Sequence, residues 1–180
     1  GGPSLSGLDP ARKGRGIILN SSKSGGRDLV LFDQRGVGRS RPALDCPEIV
    51  DLSRDLADRR IDGRAVTKVE VQDILVGAFV ECGRQLSQTS DLSAYNSVTS
   101  AGDVDELRQA LGYERVNLWG GSYGTRLALE VMRLHPEGLR SVVLDAVYPP
   151  DIDLYTEAPA NLDRALNKLF ESCATNPICS

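Results

Sequence analysis

The chain has 180 residues, a net charge of −4, 41% apolar and 26% charged residues, which is ordinary for one globular domain able to bury a real core. The mild acidic balance gives no reason to expect a nucleic-acid partner, and no window approaches the roughly 18 consecutive apolar residues of a membrane span. The chain opens on Gly1 with neither Met nor an apolar signal core, so it reads as a processed chain or as a piece of something longer.

The opening "GGPSLSG" is glycine-rich, and "IILN" at 17 to 20 is too short to assign. "RDLVLFD" (27 to 33) is a short apolar run that reads as a buried strand, and it leads straight into "DQRGVGRS" (33 to 40). Residues 39 to 63 are mostly polar and read as loop. A helix is expected over 67 to 86, with Val71, Ile74, Leu75, Ala78, Phe79 and Cys82 on one face. A second is expected over 103 to 112, with acidic residues in its first turn and a terminal glycine. "ERVNLWG" (114 to 120) and "LRSVVLDAV" (139 to 147) read as strands, and "TRLALEVMRLHPEG" (125 to 138) between them as a helix ending at Pro136. Alternating strands and helices imply crossovers and an α/β fold, with 28 to 33, 114 to 119 and 140 to 145 as neighbouring strands of one parallel sheet. Residues 151 to 180 differ in character: an amphipathic helix carries Leu162, Leu166, Leu169 and Phe170 on one side. Two parts follow, an α/β core over 1 to 150 and the start of a further segment over 151 to 180.

Chemistry concentrates at Gly120-Gly121-Ser122-Tyr123-Gly124. Strand, G-x-S-x-G, helix is the context of a nucleophile elbow, where a sharp turn holds the serine hydroxyl out at the end of the sheet. Ser122 is the candidate nucleophile, and the Tyr123 N–H, at the start of the following helix, is a candidate oxyanion donor. A phosphate loop is the rival reading, but no G-x-x-x-x-G-K-[ST] occurs, and "RGVGRS" lacks the third glycine of a dinucleotide fingerprint.

In chain order, Gly1-Gly2-Pro3, Asp33-Gln34-Arg35-Gly36-Val37-Gly38-Arg39-Ser40, Gly120-Gly121-Ser122-Tyr123-Gly124-Thr125 and "RSVVLDAVYPP" together resemble the proline iminopeptidase and tripeptidyl aminopeptidase family of α/β-hydrolases. "CATNPIC" (173 to 179) resembles its secreted tripeptidyl-aminopeptidase branch in particular. The resemblance runs through nearly the whole chain. It implies a serine hydrolase cleaving short peptides, amides or esters at a free amino end, with no cofactor and no metal, and with 151 to 180 beginning a helical cap. It also implies that the Gly-Gly-Pro turn supplies the other oxyanion donor. Pro3 has no N–H, so Gly2 is the first choice, with Gly1 and Ser4 as alternatives; Ser4 stands where the family usually has glycine. The charged residues of 33 to 40 are read as bracing a loop beside the site.

A serine needs a base, and in this fold an acid and then a His follow it in sequence. The single His, His135, lies thirteen residues past Ser122 near the end of the same helix, roughly 20 Å away. It reads as a helix C-terminal cation or donor, not as the base. Asp145 ends the next strand; some α/β-hydrolases carry the acid there, but the resembled family places it one strand later, so Asp145 is read as bracing a loop. The acid and the base are therefore expected on a further segment, of this or another chain. A non-catalytic hydrolase-like binding or assembly domain is the competing reading.

Four cysteines and one His make a zinc site unpromising. Asn176-Pro177 favours a turn that would bring Cys173 and Cys179 together, leaving Cys46 for Cys82. Two disulfides would indicate a secreted or periplasmic protein; four reduced thiols are the plain alternative.

Overall fold

The computed structural model describes residues 26–176 and Cys179. The Gly-Gly-Pro turn and "IILN" lie outside these residues. Helix α1 spans Pro47–Asp58. Pro47 sits in its first turn, where a missing N–H costs nothing, and Ile49 and Leu56, seven apart, are buried on one face. A small antiparallel hairpin follows, β1 (Arg60–Ile61) against β2 (Arg64–Ala65). Its turn residues Asp62 and Gly63 have φ of 51° and 79°, the left-handed pair that a two-residue hairpin turn requires. The expectation of a loop over 39 to 63 is thus corrected: the polar majority is the solvent face of a helix.

Helix α2 spans Lys68–Leu86 and begins with a reciprocal cap. The Thr67 hydroxyl accepts the Glu70 N–H, and the Glu70 carboxylate accepts the Thr67 N–H. Val71, Ile74, Leu75 and Ala78 are half-buried and Cys82 is buried, but Phe79 is 59% exposed. One residue past Ala78 turns it about 100° from the packed line, so the expected apolar face is narrower than drawn. A disulfide between Cys46 and Cys82, with Cα atoms 6.2 Å apart, fastens the start of α1 to α2.

Helix α3, Ser97–Ala110, starts six residues before the expected 103. The Asn96 side chain accepts the Thr99 N–H at 2.9 Å, and the Thr99 hydroxyl accepts the Asn96 N–H at 3.4 Å. Asp103 and Asp105 are therefore not first-turn acids; each takes an arginine instead, Arg35 and Arg108 respectively. The helix end is as expected, with Gly112 at φ 76° just past the last turn.

Strands β3 (Val116–Gly121) and β4 (Leu139–Asp145) pair in parallel, from Val116 opposite Leu139 to Gly121 opposite Asp145. Helix α4 (Tyr123–Leu134) makes the crossover. The core joins Ala101 and Val104 of α3 to Leu127 and Val131 of α4, with Phe32, Leu118, Leu134 and Leu139 packed against them. On the other face Trp119 and Val143, which are register partners, are both 55% exposed. Residues 28 to 33 form no ladder with β3 or any other strand among the described residues, which corrects that expectation. The expected burial is corrected too: Leu29 and Val30 are 45% and 42% exposed, and within the run Phe32 supplies the packing against the core. The Tyr113 hydroxyl donates to the Asp28 carboxylate at 2.6 Å, tying the run to the loop before β3.

Helix α5, Leu154–Ala174, follows. Leu162, Leu166, Leu169 and Phe170 lie on it 41 to 63% exposed. Cys173 and Cys179, with Cα atoms 5.3 Å apart, form the second disulfide.

Candidate active site

Ser122 joins β3 directly to α4, is exposed, and has φ 55° and ψ −124°. For a residue with a Cβ this backbone is strained, and it persists only where the surroundings over-determine it. They do so here. The Ser122 N–H donates to the Asp145 carbonyl at 2.9 Å, and the Ser122 carbonyl accepts the Thr125 N–H at 2.9 Å and the Thr125 hydroxyl at 2.7 Å. Gly120 is required for a different reason. A Cβ there would lie against the Gly124 carbonyl oxygen, 2.7 Å from the Gly124 carbonyl carbon and 3.0 Å from the Thr125 N. The first turn of α4 thus passes directly over the end of β3.

Tyr123 is the first residue of α4, so its N–H has no acceptor within the helix. The Tyr123 hydroxyl pairs with the Ser97 hydroxyl at 2.9 Å, linking the elbow to the start of α3. Tyr123 also lines a cleft of about 240 Å³ with Gln34, Gly36, Tyr95, Asn96 and Ser100. This cleft brings the 33 to 40 loop and the elbow to one place. Gly2, the other expected oxyanion donor, lies outside the described residues.

The 33 to 40 loop is held from within and from α3. The Asp33 carboxylate accepts the Arg39 N–H at 2.9 Å, and the Ser40 hydroxyl donates to the Asp33 carbonyl at 2.6 Å. Arg35 forks onto the Asp103 carboxylate and also donates to the Ala94 carbonyl at 2.9 Å. Gly36 has φ 77°, and a Cβ there would lie 2.8 Å from the Tyr95 ring. The charged residues of this motif brace the loop.

His135 stands at the far end of α4, a helix of twelve residues and so about 18 Å long. Its Nδ1 is 3.7 Å from a carboxylate oxygen of Asp105, not near Ser122. The Arg108 guanidinium, 2.8 Å away, holds the Asp105 carboxyl below its usual range against the opposing effect of burial, and Gln109 and His135 add to the lowering. Asp105, His135 and Glu137 hold ligand atoms within 4.8 Å of one another. Asp105, however, already accepts from Arg108 and from Gln109 at 2.6 Å, and a cation there would meet the guanidinium. The sulfurs of Cys46 and Cys82 are committed to each other.

Asp145 contributes through its backbone. Its carbonyl takes the Ser122 N–H, while its carboxylate is exposed and meets no partner among the described residues. Among the described residues it is this carbonyl, not the carboxylate, that braces the turn. The residue that sequence reasoning missed is Thr125, wholly buried one turn past Ser122. A hydroxyl on the apolar side of an amphipathic helix was the available signal.

A parallel strand pair joined by a crossover helix, with an exposed strained serine at the strand-to-helix turn, defines an α/β protein with nucleophile-elbow geometry. The chain belongs to the alpha/beta hydrolase fold family, whose model matches residues 8–179. It is 30% identical to serine protease Hip1 of Mycobacterium tuberculosis over 99% of this chain and 35% of that protein. It is 33% identical to tripeptidyl aminopeptidase of Streptomyces lividans over 91% of this chain and 30% of that protein. Carboxylesterase B of Mycobacterium tuberculosis is 30% identical over 99% of this chain and 35% of its own length. The chain thus spans about a third of the length of the curated relatives it matches.

Proposed function

We propose that these residues carry the nucleophile of a serine hydrolase, an exopeptidase that releases short peptides or single residues from a free amino end. The observation that supports this best is Ser122, exposed and strained between β3 and α4. In this reading the Ser122 hydroxyl oxygen attacks the scissile carbonyl carbon and its proton passes to a base. Negative charge develops on the carbonyl oxygen and is met by the Tyr123 N–H and the partial positive charge of the α4 N-terminus. Gly2 supplies a second donor. The leaving amine takes the proton, an acyl-enzyme remains on Ser122, and water hydrolyses it. The base is not His135, so it and its orienting acid come from a segment outside these 180 residues. The names of the tripeptidyl aminopeptidase and of Hip1 favour peptide over other acyl substrates; that of the carboxylesterase keeps ester hydrolysis by the same serine as the second reading. The two disulfides suit an exported protein, and no helix among the described residues is long and apolar enough to cross a membrane.

The test is labelling of the full protein by a fluorophosphonate, with the site located by mass spectrometry. Labelling on Ser122 that disappears in Ser122→Ala supports a serine hydrolase. Absence of labelling in a folded, full protein would favour the non-catalytic binding domain. Peptides with free and blocked amino ends, compared with simple esters, then separate exopeptidase from esterase.

A further inference from the structure

Thr125 is 0% exposed, and its buried hydroxyl both donates and accepts a hydrogen bond. It donates to the Ser122 carbonyl at 2.7 Å and accepts the Tyr148 N–H at 2.8 Å. One buried oxygen therefore bridges the strained serine to the connection that leaves β4 for α5. The same connection is gripped a second time from the next residue. The Arg126 guanidinium lies 4.9 Å from the centre of the Tyr148 ring and donates to the Pro150 carbonyl at 2.8 Å. Ala146, between Asp145 and this segment, has φ 55°. The β4–α5 connection thus turns sharply and returns onto the first turn of α4.

We infer that Thr125 is a positioning residue: its hydroxyl makes the Ser122 conformation depend on where the β4–α5 connection sits. The inference rests on Ser122 being the nucleophile. A residue with positive φ keeps that backbone only while its N–H and carbonyl are pinned. The Ser122 N–H is pinned by β4 through Asp145, and its carbonyl by α4 through the Thr125 N–H; among the described residues the Thr125 hydroxyl alone ties that carbonyl to residues beyond β4. Removing the hydroxyl leaves the Tyr148 N–H without its acceptor and slackens the carbonyl side of the elbow. Because Arg126 joins the same connection to α4, a shift of α5 pulls on both residues following the elbow. The reactivity of Ser122 is in this way coupled to the segment that begins with α5.

The experiment compares Thr125→Val, Thr125→Ala and Thr125→Ser with the unaltered full protein, reading the second-order rate constant for fluorophosphonate labelling of the folded fraction. Serine keeps the hydroxyl, whereas alanine differs from serine by that oxygen alone. The expected result is a roughly tenfold slower rate constant in Val and Ala, about what the loss of one positioning hydrogen bond costs, with most of the rate kept in Ser. A merely structural role would lower the melting temperature and the labelled amplitude but leave the rate constant of the folded fraction unchanged. If Val does not fold, the Ala and Ser pair decides. Equal rate constants in Ala and Ser would overturn the inference, as would a wild-type rate in Val. Ser122→Ala distinguishes the two levels. If it still labels like the unaltered protein, the nucleophile reading falls and this inference with it; if it is silent while Ala labels at the normal rate, only the role of Thr125 falls.

Discussion

The backbone N–H of Ser122 donates to the carbonyl of Asp145 at 2.9 Å, so the turn after β3 is closed by the last residue of the neighbouring strand. The elbow is consequently a property of the strand pair and not of the pentapeptide alone. Register carries this: Gly121 stands opposite Asp145, one step before the serine leaves the sheet. Anything that separates β3 from β4, or lifts α4 from the end of β3, will move Ser122.

Gly120→Ala tests the second of these. The new Cβ would meet backbone atoms of Gly124 and Thr125, which cannot rotate away. Gly121→Ala is the comparison, because its Cβ would meet the Trp119 ring at 3.1 Å, and that half-exposed side chain can yield. Urea unfolding should show a loss of roughly 1–3 kcal/mol for Gly120→Ala, the usual cost of overpacking, and clearly less for Gly121→Ala. Equal losses would mean that the close approach of α4 does not set the elbow.

The disulfides close loops of very different size. Cys46 and Cys82 are 36 residues apart, Cys173 and Cys179 only 6. On a chain-entropy basis, replacing the first pair by serine should cost about 4 kcal/mol and the second about 2 kcal/mol. The second pair also sits on a helix with little packing, so its effect on global unfolding should fall below even that figure. Thiol titration of unreduced, denatured protein should find no free thiol, and chemical denaturation of the two double variants gives the comparison.

The elbow was legible in the sequence because its signals are local: an apolar run, glycines two before and two after a serine, then helical spacing. The helix over 67 to 86 was legible for the same reason, though its Thr67–Glu70 cap was not read. Helix α1 was hidden by its composition: Ile49, Val50, Leu52, Leu56 and Ala57 are interspersed with charged residues, and of these only Ile49 and Leu56 are buried. Its start at Pro47 and the Asp62-Gly63 turn were the signals that could have exposed it. The beginning of α3 was masked because Asp103 and Asp105 mimic first-turn acids, while the true cap is Asn96 with Thr99. Residues 28 to 33 show the limit of an apolar run as a signal: Leu29 and Val30 are exposed, only Leu31 and Phe32 are half-buried, and the run says nothing about which strand, if any, takes the backbone hydrogen bonds. Thr125 could not be read as a bridge, because its partner Tyr148 is 23 residues away.

Acid stability should depend on Asp105. Its carboxyl, lowered chiefly by the Arg108 hydrogen bond, has a folded pKa below the ordinary value of 3.8. The unfolded chain therefore binds the proton more readily, and stability is fully present above that value and lost as pH falls through the folded pKa. Melting temperatures measured downward from pH 5 should drop steeply for the unaltered protein. Asp105→Asn should be less stable at pH 5 and flatter below pH 4. Gly138 bears on the same site, since a Cβ there would meet Arg108 at 2.6 Å and Asp105 at 2.8 Å. Gly138→Ala should thus weaken the acid dependence as well as lowering stability. An unchanged profile in Asp105→Asn would assign the acid sensitivity to other carboxylates.

The 180 residues by themselves should show essentially no turnover, although the elbow can persist in them. The reason is distance and commitment together. The single His in the sequence lies beyond the last turn of α4, roughly 20 Å from the serine, and faces Asp105 on α3. A general base works only within about 3 Å of the hydroxyl whose proton it takes. Without one, a serine hydroxyl is a weak nucleophile at neutral pH, and what remains is the modest stabilisation from oxyanion donors. Half-exposed Trp119, Val143 and Val147 would also favour association of the isolated chain. Supplying the remaining segments, covalently or as a second chain, should restore hydrolysis of short peptide amides or esters with a free amino end. His135→Ala should leave that restored rate within about twofold of the parent, because the residue acts only on the α3–α4 contact and surface-side changes of this kind shift function little. Robust turnover by the 180 residues alone, abolished by His135→Ala, would contradict the distance between the two residues and with it the assignment of the base to another segment.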